Sequence, residues 1–281
     1  MTVAITGASG QLGSRAIENL KTRIDPENII GLARSPDKAS DLGIAVRAFD
    51  YTKPETQVAA LEGVKTLVLI PTGASADRLG WHLNVINAAK AAGVHRIIYV
   101  SMLKTDVSPI SIMPDHKKTE EAIRAAGLAY TMLRNPWYYE IWTRTLSAAI
   151  QSGELISTIG NGKVTPASRQ DLAEAVAAVA ADDRHENKIY ELGGDEQFTF
   201  ADLAAEVSRQ SGKEVRYKNL PQDEYIEFLN ASGLPEWQSE IIADAEGHAE
   251  HGWLFDDSKT LSGLIGRPTT TLKDAVAAAL T

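Results

Sequence analysis

Three features of the sequence predict an α/β fold. Met1-Thr2-Val3-Ala4-Ile5 is a short β-branched run of the kind that builds a buried parallel strand. Gly7, Gly10 and Gly13 punctuate the residues directly behind it, and apolar runs then alternate with amphipathic segments as far as residue 134. Strands separated by helices at this spacing need right-handed crossovers and a parallel sheet covered on both faces. The expected architecture is a Rossmann-like, doubly wound parallel sheet over residues 1–134, followed by a smaller C-terminal α/β region over residues 135–281, with chain crossings between the two.

Each element has its own signal. After the glycine turn, Leu12, Ala16, Ile17 and Leu20 recur at helical spacing. Asn28 to Ala33 reads as the second strand, and Ser35-Pro36 as the cap and first position of a short helix. Ile44 to Phe49 is the third strand, Pro54 to Leu61 a helix, and Lys65 to Ile70 the fourth strand. Asp77 to Ala92 is a long helix closed by Gly93, which suits the residue after a helix end. His95 to Val100, Asp115 to Ala126 and Ala129 to Arg134 complete the rhythm as strand, helix, strand.

Beyond Asn135 the pattern loosens. A helical stretch is expected from Trp137 to Ser152, then a strand at Gly153 to Ser157 and an alanine-rich helix from Ser168 to Ala181. Lys188 to Leu192 and Lys213 to Tyr217 read as strands, with a helix opened by Thr199 between them. Short helices fill the remainder, at Pro221 to Asn230, at Pro235 to Gly247 and after Phe255.

Composition narrows the function. Hydrophobic residues make up 44% of 281, an ordinary globular proportion. The apolar runs are broken well before membrane-spanning length, and no basic-then-apolar leader precedes the first strand, so a cytoplasmic location and no membrane partner are expected. The net charge of −9 opposes nucleic acid as a partner. With no cysteine, disulfides, thiol catalysis and Cys-ligated metal are excluded. His248, Glu250 and His251 stand close together but lack a second cluster, so no metal site is expected.

The glycine turn is the strongest chemical signal. Strand, glycine turn and helix are the context of a dinucleotide site: one glycine permits the turn, one lets backbone approach the pyrophosphate, one lets helix pack on strand. The helix N-terminus then presents unpaired N–H groups and a positive dipole end to the phosphates. Gly7, Ala8, Ser9, Gly10, Gln11, Leu12 and Gly13 are the candidate cradle, at G-x-x-G-x-x-G spacing. At the end of the second strand, where an acidic residue would meet a ribose 2′-hydroxyl, this chain carries Arg34. A guanidinium there suits a 2′-phosphate, hence NADPH; the alternative is an ordinary surface arginine opening a helix.

Gly7 to Gly13, Arg34, Asp50-Tyr51, Asn84 to Lys90 and Leu133-Arg134-Asn135 together resemble the NmrA-like, atypical short-chain dehydrogenase/reductases. Asn187 to Gly194, Ser211 to Lys213 and Leu254 to Thr260 extend the resemblance almost to the C-terminus. The resemblance implies an NADPH-dependent oxidoreductase passing hydride to a quinone or similar planar acceptor. It also leaves open a dye or xenobiotic reductase, or a non-catalytic NADP-binding sensor acting through a protein partner. By the same resemblance Gly73, Ala74, Ser75, Arg78 and the segment Pro136, Trp137, Tyr138, Tyr139, Glu140 and Ile141 would line the cofactor. Asp50 would meet the adenine edge or simply end its strand in solvent. Trp137 and Tyr138 would stack on the acceptor, or form a hydrophobic seam.

One departure from the wider superfamily matters. Its Tyr-x-x-x-Lys pair aligns with Ile112 and His116 here, so the proton-donating tyrosine is missing. Alcohol–ketone chemistry by that route is not expected, whereas a quinone is already electrophilic and its reduced oxygens can take protons from water. His116 remains the candidate catalytic group, bonded to the nicotinamide ribose or donating to the reduced acceptor; a surface histidine at a helix start is the alternative.

Overall fold

The computed structural model describes residues 2–73 and 77–281. In chain order the strands are β1 (Val3–Thr6), β2 (Ile29–Ala33), β3 (Ala45–Ala48), β4 (Thr66–Leu69), β5 (Arg96–Met102), β6 (Ala129–Asn135), β7 (Glu154–Ser157), β8 (Lys188–Glu191) and β9 (Arg216–Asn219). The chain divides into two compact units. The first comprises Met1–Thr105, Pro114–Asn135 and Arg169–Tyr190; the second comprises Asp106–Met113, Pro136–Ser168 and Glu191–Thr281.

The first unit is built on a seven-stranded sheet in the order β3-β2-β1-β4-β5-β6-β8. The pairs from β3 through β6 are parallel, as the uninterrupted burial of Val3–Thr6, Ile29–Ala33 and Thr66–Leu69 requires. Strand order reverses between β1 and β4, which makes their carboxyl ends the ligand-binding crevice of such sheets. Thr6 ties those ends together: its Oγ1 accepts from the Ile70 amide at 2.8 Å and lies within donating distance of the Val68 and Ile70 carbonyls.

Helices α1 (Gln11–Leu20), α2 (Pro54–Ala60), α3 (Arg78–Ala91) and α4 (Met113–Ala125) cross between successive strands. The expected short helix after Ser35 is a 3-10 run, Pro36–Leu42. The expected boundary at residue 134 is crossed by the returning helix Arg169–Ala180, which packs on α1, and by β8, which joins the sheet. Two features explain the return. Alanines on that helix allow close approach, and the fully buried Arg96 donates to the carbonyls of Val179 and Asp182 at its C-terminal end, where the helix dipole favours a cation.

In the second unit β7 pairs in parallel with β9. Thr199 and Asp202 form a reciprocal capping box at the helix Phe200–Ser211. The helical stretch expected over Trp137 to Ser152 consists of two helices, Tyr139–Thr143 and Leu146–Ser152. Thr145 sits at the break and its hydroxyl donates to the Trp142 carbonyl at 2.8 Å, a local bond that competes with helix continuation.

Trp142 packs edge-on against Phe200 with ring centroids 5.0 Å apart, and its Nε1 donates to Glu246 Oε1 at 2.8 Å. Ser157 Oγ donates to the other carboxyl oxygen at 2.5 Å. Burial outweighs these bonds and pushes the Glu246 carboxyl up to about 7 from an ordinary 4.5. The folded protein thus keeps a proton that the unfolded chain releases at lower pH, so the Glu246 contribution to folding stability falls as pH rises from 4.5 to about 7, against the opposite trend set by the buried neutral His82 and His116. At about 1.4 kcal/mol per pH unit the loss across that window is roughly 3 kcal/mol. Glu246→Gln removes this contribution, so its stability relative to wild type is expected to rise across the window, as read by urea unfolding of both proteins below and above it. A stability difference between wild type and Glu246→Gln that stays the same at both pH values would contradict the assignment.

Candidate dinucleotide site

The glycine turn lies where the sheet reverses, directly after β1. Gly7 adopts φ +63°, which a side chain would strain. A Cβ on Gly13 would stand 2.2 Å from the Gly7 carbonyl oxygen, and one on Gly10 would stand 3.0 Å from it. The turn is therefore closed on itself more tightly than any side chain allows.

The amides divide into two sets. Ala8 N–H donates to the Leu32 carbonyl and Gly10 N–H to the Gly7 carbonyl, so both are already used. The first bond of α1 is from Ser14 N–H to the Gly10 carbonyl. The N–H groups of Gln11, Leu12 and Gly13 consequently precede any intrahelical acceptor. No acidic side chain occupies that first turn and no side chain caps it. Ala8 and Leu12 are buried and contribute backbone alone, whereas Ser9, Gly10 and Gln11 are exposed. Such a first turn could hold an anion, and it fits a dinucleotide pyrophosphate.

Arg34 follows β2 and is exposed; Asp50 follows β3, whose register places Ala48 beside Ala33. The two side chains therefore share the carboxyl edge next to the cradle. Asp50 Oδ1 accepts from the Thr52 amide at 2.9 Å and its hydroxyl at 2.8 Å. Those bonds hold the carboxyl below its ordinary value, with Lys53 and Arg34 adding smaller favourable fields.

Arg78 opens α3 but is only 3% exposed. Its Nε donates to the Thr72 carbonyl at 3.2 Å and its Nη2 to His116 Nε2 at 2.9 Å. Nη1 has no partner among the described residues. His116 is 2% exposed, and its Nδ1 meets the Tyr99 hydroxyl at 2.9 Å. Burial, with Arg78 and His82 beside it, holds His116 well below its ordinary value, so the ring is neutral. His82, on the same face of α3 one turn beyond Arg78, meets Thr119 Oγ1 at 3.1 Å and is likewise pushed down, to about 3, chiefly by burial.

The sequence reading did not find Tyr99 or His82. A tyrosine inside the apolar strand Ile97-Ile98-Tyr99-Val100 is a usable signal, since a buried phenol needs a partner. The i, i+4 spacing of Arg78 and His82 is another. Ser101 is buried and tied into a separate network: it donates to Glu120 Oε1 at 2.7 Å, and Arg134 binds both Glu120 oxygens.

Gly73 is exposed, while Ala74 and Ser75 lie outside the described residues. The remaining sequence-predicted residues belong to the second unit. Pro136, Trp137 and Tyr139 are buried and Tyr138, Glu140 and Ile141 half-buried. Tyr139 stacks on Phe198 at 5.8 Å, and Ile141 lines a small cavity with Trp142, Phe200 and Glu246. Both side chains are thereby engaged in the second unit's own packing. Trp137 Nε1 is buried with no partner among the described residues. No cluster of three or more His, Asp or Glu side chains among the described residues is arranged for a metal, and no helix there is long and apolar enough to cross a membrane.

The seven-stranded sheet, its strand order and the glycine cradle define a nucleotide-binding oxidoreductase-type fold. A family profile described as NAD(P)H-binding matches residues 7–183, and the chain belongs to that family. Over 277 residues it is 45% identical to quinone oxidoreductase 2 of Escherichia coli, covering 98% of this chain and 97% of that protein. The crystal structure of the E. coli NADPH-dependent quinone oxidoreductase complexed with NADPH superposes with a TM-score of 0.96 at 44% identity, over 100% of both chains. Citrobacter sp. triphenylmethane reductase complexed with NADP(H) superposes at 0.95 with 36% identity, over 99% of this chain and 100% of that one. These likenesses agree with the NmrA-like resemblance of the motifs.

Proposed function

We propose that this protein is an NADPH-dependent oxidoreductase that passes hydride to a quinone or similar planar conjugated acceptor. The observation that carries the reading is whole-length similarity to a quinone oxidoreductase, joined to a glycine cradle and an arginine that both suit NADPH. The Gln11, Leu12 and Gly13 amides would hold the pyrophosphate, and Arg34 the 2′-phosphate. The nicotinamide, when bound, supplies the hydride.

The chain's own residues bind and orient; they need not donate a proton. Ile112 offers no hydroxyl at the superfamily's tyrosine position, and His116 is neutral, buried and engaged at both ring nitrogens. A quinone tolerates that, because solvent can protonate the reduced oxygens once proximity has done its part. We therefore assign His116 to support rather than proton donation. Trp137 and Tyr138 are the aromatic candidates for stacking on the acceptor. Alanine at either is expected to raise the KM for quinone more than for NADPH; equal effects on both would make them packing residues.

Loss of reduced-nicotinamide absorbance with benzoquinones, naphthoquinones, triarylmethane dyes and aldehydes tests the assignment. Quinones are expected to turn over and simple aldehydes are not. The likeness to the Citrobacter reductase makes the dyes the second acceptor class to expect.

A further inference from the structure

Arg78 is a buried cation whose local environment is unfinished. Among the described residues no carboxylate lies within ion-pair distance, and Nη1 lacks an acceptor. Asp115 adds a favourable field from beyond ion-pair distance; with no carboxylate paired to it the buried charge remains costly, so a fold that keeps it has a use for it. Its position supplies the use. Arg78 is the first residue of the 14-residue helix α3, which follows β4 on the carboxyl edge of the sheet, beside β1 and its glycine cradle. The Asp77 carboxylate covers the first turn of α3, so it is the guanidinium that adds positive potential where the strand order reverses.

The bonds behind Arg78 have a forced direction. A guanidinium only donates, so His116 Nε2 must be the unprotonated nitrogen. The ring proton is then on Nδ1 and is donated to the Tyr99 oxygen. Thr119 shows the same ordering nearby: its hydroxyl donates to the Asp115 carbonyl at 2.7 Å, leaving its oxygen to accept from His82 Nδ1. Tyr99 and His116 are both fully enclosed, so neither can turn away without opening the core.

We propose that His116 is a positioning residue whose neutral Nδ1–H tautomer, fixed by Tyr99, holds the Arg78 guanidinium as the counter-charge for the dinucleotide's anionic backbone. This rests on the NADPH reading above. It gives the histidine a role that needs no titration and makes Arg78, Tyr99 and His116 one unit.

Calorimetric titration of NADPH into single and double variants tests it without reference to turnover. Arg78→Met and His116→Leu are each expected to weaken NADPH about tenfold or more, equivalent to ~1.4 kcal/mol per decade. The double variant is expected to bind no more weakly than Arg78→Met alone, because the histidine acts through the arginine. His116→Gln, whose amide oxygen can accept from Nη2, is expected to recover most of the affinity. Tyr99→Phe, which removes the acceptor for Nδ1–H, is expected to lose several-fold and reads the same link should His116→Leu fold poorly.

Each contrary outcome has a distinct meaning. Losses that add in the double variant, or unchanged affinity in both His116→Leu and Tyr99→Phe, overturn the positioning role while leaving NADPH binding intact. Wild-type protein that binds no NADPH overturns the functional reading itself.

Discussion

Replacing Arg34 by alanine is expected to weaken NADPH binding about ten- to a hundredfold while leaving NADH nearly untouched. The two cofactors differ only in the 2′-phosphate, and Arg34 stands at the end of β2 where that group is met. A guanidinium can form paired, charge-assisted bonds to a phosphate, each hydrogen bond to a charged group being worth roughly 1.5–3 kcal/mol. Arg34 is exposed, so salt should erode the preference. Asp50 nearby works slightly against the phosphate, but its Oδ1 is occupied by Thr52. Titrating NADPH and NADH into both proteins at low and high salt checks this. A variant that keeps the wild-type preference would return Arg34 to the ordinary surface.

The second large effect is expected at Gly13. In a helix, Gly→Ala alone would stabilise by about 1 kcal/mol. Here the added Cβ would meet the Gly7 carbonyl oxygen at 2.2 Å and its carbon at 2.9 Å, both backbone atoms that cannot rotate aside. Forced overpacking costs typically 1–3 kcal/mol, and relief requires the cradle itself to move. Gly13→Ala should therefore lower the melting temperature and abolish measurable NADPH affinity together. Gly263 is the internal control: it is helical, and a Cβ there meets nothing within 4 Å. Gly263→Ala should be neutral or stabilising with NADPH binding unchanged. A Gly13→Ala protein as stable and as NADPH-competent as wild type would contradict the tight-turn account.

Most of the first unit was legible because its signals are local. The apolar strands, the Gly93 and Gly127 helix ends and the glycine turn each announce themselves within a few residues. Strand ends shifted by one or two positions, as at β5, which runs through Met102 rather than stopping at Val100. What was not legible is long-range. Nothing near Lys188 says that β8 returns to the sheet, because its neighbour β6 lies more than fifty residues earlier in the chain. The break at Thr145 follows from one hydroxyl-to-carbonyl bond that periodicity does not register.

The site divides along the same line. The cradle is a contiguous motif and was read residue by residue. The Arg78–His116–Tyr99 unit joins α3, α4 and β5, and its meaning lies in burial and bond direction. Sequence spacing marked His116 as an ionisable candidate; burial makes it a neutral acceptor for a neighbouring cation.

Hydride transfer from NADPH to a quinone is read by following donor and product in one reaction. The purified protein is mixed with NADPH and a naphthoquinone under anaerobic conditions, and reduced nicotinamide and quinol are followed together. One quinol is expected for each NADPH consumed, with NADH a much poorer donor to the same quinone. Stoichiometric NADPH binding without quinol formation, across quinones and triarylmethane dyes alike, would contradict it and leave an NADP-binding sensor.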